Sequence, residues 1–431
     1  MKYKVLIILA IALLTSSCRK VEFSLTVSDV KSEVVDYVEI TGKVAGDIVP
    51  DECGIIYGTD SDFLSGSLML SCPYPGQEFT VSISQLQPRT TYYYKAYAAK
   101  GIVERFSATK SFTTSDPQRD VLMAFYEATN GSEWINNTNW GSASDLSTWY
   151  GVGVEDGVVT SLRLPYNHLH GNISNTLAPL QSLKTLILSP QYGAIDIAEA
   201  NVITGMDLTA NKSLDTLICA CCSLQQLDVS GNVALSALFC QTNALTSLDV
   251  TKNVALKTLC CLENRISSLD LKACLALEDL LCANNQLTAL NVTDNAALLS
   301  LSFESNMVDA IDVRRNTALV SLHCEENNIS SLNLASNVNL ETLVCRYNKI
   351  DTLDLSTNTR LTTLCCNDNR LSSLDINRCS SLNYLTAGNQ TDRAGESVIL
   401  SLYCSGGQKA KWDSYWNFLP DNRNISLVVT Q

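Results

Sequence analysis

At 431 residues, 46% of them apolar and only 17% charged, the chain is long enough for about two to four domains that bury cores without metal or disulfide staples. The acidic balance, 30 basic against 44 acidic residues and a net charge of −14, argues against nucleic-acid partners, which need clustered Lys and Arg. Three histidines, His168, His170 and His323, leave almost no material for a His-based metal centre or a Ser-His-Asp hydrolase. The composition predicts no enzyme, no cofactor and no nucleic-acid partner.

Lys2 and Lys4 precede the apolar run Val5–Leu14, which is too short to span a bilayer needing about 20 residues. That is the shape of a secretory signal. Its end, Leu14-Thr-Ser-Ser-Cys18, resembles a bacterial lipoprotein signal. The resemblance implies that residues 1–18 form the signal and that Cys18 becomes the lipidated first residue. The expected location is the bacterial cell envelope, at the outer membrane or cell surface, with the lipid as membrane anchor.

Residues 19–115 read as short alternating strands: Tyr37–Val44, Gly54–Tyr57, Phe79–Ser84, Thr91–Tyr97 and Lys110–Thr114. Turn residues separate them at β-sandwich spacing. The run Leu86-Gln-Pro88-Arg-Thr-Thr-Tyr92 resembles the approach to the penultimate strand of a fibronectin type III domain. There the leucine packs inward and the tyrosine hydroxyl bonds back to the backbone. Such a unit is expected to act as a stalk. Cys53 and Cys72 suit either a disulfide or two free thiols.

Past Ser115-Asp-Pro117 the pattern changes. Asp120 to Gly131 spaces apolar residues as a helix does and stops on Asn-Gly. Trp134, Trp140 and Trp149 follow, then Val159 to Ile173 in a leucine-rich frame. Residues 116–160 resemble the N-terminal cap of plant-type leucine-rich-repeat proteins, with Val154 where such a cap carries a cysteine. Packing alone should hold this cap, with the three indoles buried over the end of the repeat core.

Residues 161–391 carry the strongest signal. Leucine recurs every 21 positions from 214 to 382, a second leucine follows three later, and asparagine recurs from 243 to 369. The frame L-x-x-L-x-C-x-x-N-x-L is the leucine-rich-repeat consensus, with eight regular turns over 214–381. One coil cannot bury its own apolar edge, so stacked coils share a core. The leucines and the cysteine column (219, 240, 261, 282, 324, 345 and 366, with Phe303 once) point inward, and the asparagines form a ladder. The second half of each repeat, L-x-x-L-D-V/L-x-x-N, echoes the first, so the return side should also be extended, without a true helix. Column thiols about 4.8 Å apart in an apolar setting predict a packed ladder and no metal. The fold class expected is mostly β with short helices: an immunoglobulin-like β-sandwich, then a capped leucine-rich-repeat solenoid. Residues 392–431 close it as a C-terminal cap, with a helix carrying Trp412 and Trp416 and a strand at Ile425–Thr430.

Function then falls to the outward face of the strands. Phe239, Leu262 and Leu281 are expected to form an exposed apolar patch. It abuts an acidic one of Glu304, Glu325 and Glu326, near His323, Arg346 and Tyr347. Contiguous exposed apolar surface marks an interaction site. The reading is a non-catalytic envelope lipoprotein that binds a protein ligand for adhesion, host contact or envelope scaffolding. A glycan ligand is the alternative, and an enzyme follows behind it.

Overall fold

Among the described residues, eight strands make the first unit: β1 (Ser24–Val27), β2 (Tyr37–Ala45), β3 (Glu52–Gly58), β4 (Leu68–Ser71), β5 (Glu78–Ser84), β6 (Thr91–Lys100), β7 (Val103–Phe106) and β8 (Lys110–Thr113). This is a computed structural model that describes residues 22–30, 34–189, 200–412 and 423–430. Cys18, the signal segment and Trp416 lie outside the described residues. The order β1-β2-β5 forms one antiparallel sheet and β4-β3-β6-β7, with β8 also on β6, the other. Inward residues of both, such as Ile40 and Val81 from one and Ile55, Tyr94 and Phe112 from the other, share one core. Strict alternation along β2 and β5 produces this, since successive side chains leave opposite faces. Leu86 is buried, and the Tyr92 hydroxyl accepts the Gln87 N–H at 2.9 Å. Cys53 and Cys72 are free thiols, Cys53 buried and Cys72 partly exposed.

The chain divides at Pro117/Gln118, and the second unit is a β-solenoid. Its cap begins with the helix Pro117–Ala128, which buries Leu122 and Phe125. Trp134 and Trp140 meet edge-on at 4.9 Å, and Trp149 lies 5.1 Å from Trp140. All three indoles sit inside the solenoid core rather than on its surface. Arg119 stacks 5.0 Å from Trp149 and donates to the carbonyls of Ser142 and Ser144. Packing, this arginine and hydrogen bonds such as those between Asn136 and Asn167 (2.7 and 2.9 Å) hold the cap.

From there a twelve-stranded sheet runs along one side of the solenoid, parallel throughout except for Val152–Glu155 against Val158–Arg163. The pairings Thr216↔Ala237 and Thr342↔Thr363 keep the 21-residue offset of the sequence repeat. The two coils before it are longer, with Ser161↔Thr185 and Thr185↔Thr216. The return side carries no helix between Leu214 and Ser381. It is held by turns in which a repeated Asp or Asn accepts the N–H two residues on, as Asp249 does from Thr251 at 2.9 Å.

Two polar ladders bind the coils. In the first, Asn264 donates to the carbonyls of Cys240 (3.0 Å) and Cys261 (3.1 Å), while its Oδ1 accepts the Leu245 N–H at 3.0 Å. One amide thus serves its own coil and the one before it. Gln390, 21 residues past Asn369, continues the pattern through the carbonyls of Cys366 and Ala387. The second ladder runs along the return side. Asn253 donates to Val229 and Asn232, and Gln408, from the helix Gly406–Trp412, ends the series on Ile376 and Cys379.

The inward thiols Cys219, Cys240, Cys261, Cys282, Cys324, Cys345 and Cys366 are 0–1% exposed. Burial pushes Cys219 up to about 12 and raises the others. Only thiolate reacts with a disulfide reagent, so these thiols should stay silent in native protein and titrate after denaturation. A colorimetric thiol count at pH 8, with and without guanidinium, checks this. Rapid native reaction of the whole set would mean the column is open.

Candidate functional site

Each coil sends three side chains away from the leucine core along its strand. The first two form the rows Ile218, Phe239, Cys260, Leu281, Ser302, His323, Val344, Cys365 and Ala220, Gln241, Leu262, Ala283, Glu304, Glu325, Arg346, Asn367. The third begins at Cys221 and runs through Thr242, Glu263, Asn284, Ser305, Glu326, Tyr347, Asp368 and Asn389. Every one of these nine residues has a left-handed φ of 51–56°. Asn and Asp tolerate that conformation, whereas Thr242 and Tyr347 hold it at a cost. The repeat alone does not reveal this, although the Asn and Asp at three of the nine places are its trace.

The expected exposed apolar patch is not there. Phe239 is 2% exposed and packs with Ile218 and Cys260 in a second small core, against which Leu262 and Leu281 lie half-buried. These side chains do point away from the leucines. Strands only about 4.8 Å apart, however, let bulky neighbours in one row cover each other. Glu325 is a second correction: it is 9% exposed and no rim charge.

Further along the same face the residues become polar. Glu304 is half-buried and accepts the Ser302 hydroxyl at 2.5 Å. His323 Nδ1 stands 4.0 Å from Glu325 Oε2, an oxygen that is buried and has no hydrogen-bond partner. Arg346, one coil on, keeps its Nε buried and unbonded and leans over the Tyr347 ring at 5.7 Å. Burial raises the Glu325 carboxyl above the usual range and Glu304 adds to the rise, against its own N–H, His323 and Arg346. Glu326 and Tyr347 are exposed, and Glu326 accepts the Ser305 hydroxyl at 2.8 Å. Beyond them Asn367 and Thr386 are buried and bonded to each other at 2.7 Å, which closes that end of the face.

The structure therefore brings Glu304, His323, Glu325, Glu326, Arg346 and Tyr347 together on adjacent coils, and separates them in character from Phe239, Leu262 and Leu281. Ser302 and Asn367, which sequence reasoning passed over, complete the polar stretch. His323 and Glu325 have the residue types of an acid–base pair. Among the described residues, no group of three His, Cys, Asp or Glu side chains is placed to hold a metal ion.

No protein-family model matches the sequence, and no curated protein sequence matches it. Solved structures do. The functional domain of InlJ from Listeria monocytogenes, which includes a cysteine ladder, is 27% identical over 53% of this chain and 55% of that one, with a TM-score of 0.44. This chain thus spans about half the length of the InlJ structure. The leucine-rich repeat domain of APL1B is 14% identical, covering 75% of this chain and 94% of that one at a TM-score of 0.38. A human fibronectin type III domain, from the KIAA0970 protein, is 14% identical over 22% of this chain and 74% of its own, with a TM-score of 0.17. With TM-scores below 0.5, none of the three carries more than the likeness itself.

Proposed function

We propose that this chain is a non-catalytic envelope lipoprotein whose solenoid docks a protein partner on its strand face, over Glu304, His323, Glu325, Glu326, Arg346 and Tyr347. One observation carries the reading. Neighbouring coils hold a carboxylate oxygen and a guanidinium nitrogen that are both buried without partners, beside an exposed tyrosine. Leaving such groups unpaired costs a folded protein about 1–3 kcal/mol each, and nothing in coil stacking calls for charged residues there. Tyr and Arg are also the residue types that concentrate binding energy at protein interfaces.

Catalysis has less support, since one histidine on an open face lacks the desolvated pocket that tunes an acid–base pair. A glycan ligand has less as well, because Trp134, Trp140 and Trp149 are spent on the cap. Lipidation at Cys18 supplies the anchor in this reading, and the sandwich serves as the fibronectin-like stalk. Among the described residues no helix is long and apolar enough to cross a membrane.

A photo-crosslinking amino acid in place of Tyr347 tests the docking face in cells that carry the protein. Val254, 58% exposed on the return side, is the control position. A discrete adduct at 347 and none at 254 is expected. An adduct at 254 alone, or at neither position, moves the site off this face. In the same cells Cys18→Ser should shift the protein from the membrane fraction to the soluble one. Retention through a high-salt wash would overturn the lipid anchor.

A further inference from the structure

We propose that the Glu304–Glu325 pair is the seat of one basic side chain, lysine or arginine, of the docked protein; this rests on the docking reading above. The two carboxylates occupy the same row on adjacent strands, whose spacing of about 4.8 Å sets like charges against each other. Glu304 has the Ser302 hydroxyl as its partner, and Glu325 Oε2 has none although the residue is 9% exposed. Arg346, one coil on, lies over the Tyr347 ring with its Nε buried and unbonded. His323 Nδ1, at 4.0 Å, is too far for a hydrogen bond.

A buried carboxylate of this kind is stabilised by a charge-assisted hydrogen bond from a cation that bridges it to its like-charged neighbour. An ammonium or guanidinium group brings several N–H donors to that place. A divalent metal ion suits it poorly, because calcium takes six to eight oxygen ligands and, among the described residues, no group of three His, Cys, Asp or Glu side chains is placed to hold one. The side chain of His323, beside Oε2, is 37% exposed, so this part of the face is reached from solvent. Glu326, exposed beside them, draws the same charge in from solvent.

Three histidines in the whole chain make the test direct, because His323 can be followed by its imidazole proton resonances. The full chain carrying Cys18→Ser is titrated with N-acetyl-arginine methylamide, its lysine counterpart, the neutral citrulline analogue and calcium chloride. Saturable movement of the His323 signals at millimolar arginine and lysine analogue is expected, weakened at high salt and absent with citrulline. Glu325→Gln should weaken the arginine effect about tenfold and Glu304→Gln with Glu325→Gln should abolish it, while all variants unfold cooperatively as the parent does. Equal movement with citrulline, movement with calcium alone, no saturable movement, or persistence in the double variant overturns the proposal. An adduct at Tyr347 alongside a silent titration rejects the cation seat and leaves the docking reading standing.

Discussion

Phe239→Ala should lower the stability of the repeat unit by about 3–4 kcal/mol, the usual cost of emptying a buried phenylalanine site. The position lies on the strand face, where alternation alone predicts a harmless surface change. Its 2% exposure and its contacts with Ile218 and Cys260 predict otherwise. Leu262→Ala, in a half-buried neighbour, should cost about 1–2 kcal/mol, less because less apolar area leaves water there. Urea unfolding followed by far-ultraviolet circular dichroism reads both. A Phe239→Ala midpoint equal to that of the parent would return Phe239 to the surface and reopen the apolar patch as a docking site.

The second large effect concerns the return-side ladder. Asn316 is fully buried and donates to the carbonyls of Val292 (2.9 Å) and Asn295 (2.8 Å), while its Oδ1 has no partner. The same is true of Oδ1 in Asn232, Asn253, Asn295, Asn337 and Asn358. Only the donor half of each amide holds the coils. Two repeats make the point naturally, because Cys274 and Cys379 stand in the ladder and aim their thiols at the equivalent carbonyls, at 3.6–3.9 Å. Asn316→Ala should therefore cost about 1–3 kcal/mol by removing two buried hydrogen bonds, since the Val292 and Asn295 carbonyls keep only the backbone N–H groups of Asn295 and Leu298. Asn316→Cys should recover part of that loss. Asn316→Asp, nearly isosteric but without an N–H, should be the worst of the three. Equal stability of the Asp variant and the parent in the same urea assay would reject the donor account.

Sequence reading goes furthest where every coil makes the same demand. An inward leucine, a small inward thiol and a turn amide must recur at a fixed interval, because each coil buries its edge against an identical neighbour. Gln390 was legible by the same arithmetic, since it falls 21 residues after Asn369. Gln408 was not, because the strand Leu400–Ser405 intervenes before the chain reaches the same ladder. The coils before Leu214 lose the fixed interval as well, with register offsets that only the pairings reveal.

The candidate site divides along the same line. Composition and spacing place Glu304, His323, Glu325 and Arg346 on one face, since a strand sends alternate side chains to opposite sides, and Tyr347 joins them through its left-handed φ. Whether such a side chain meets water is decided by its neighbours in the next coils, up to 21 residues away in each direction. That is why Phe239 is covered, why Glu325 is buried with an unpaired oxygen, and why Tyr347 stays exposed. The amino-acid sequence by itself determined the repeat, its inward residues, the indole cap and the helix-free return side, because these follow from local period and residue type. Tertiary structure alone decided the burial and pairing of the outward groups, because these depend on which bulky or charged side chains adjoin across the stacked strands.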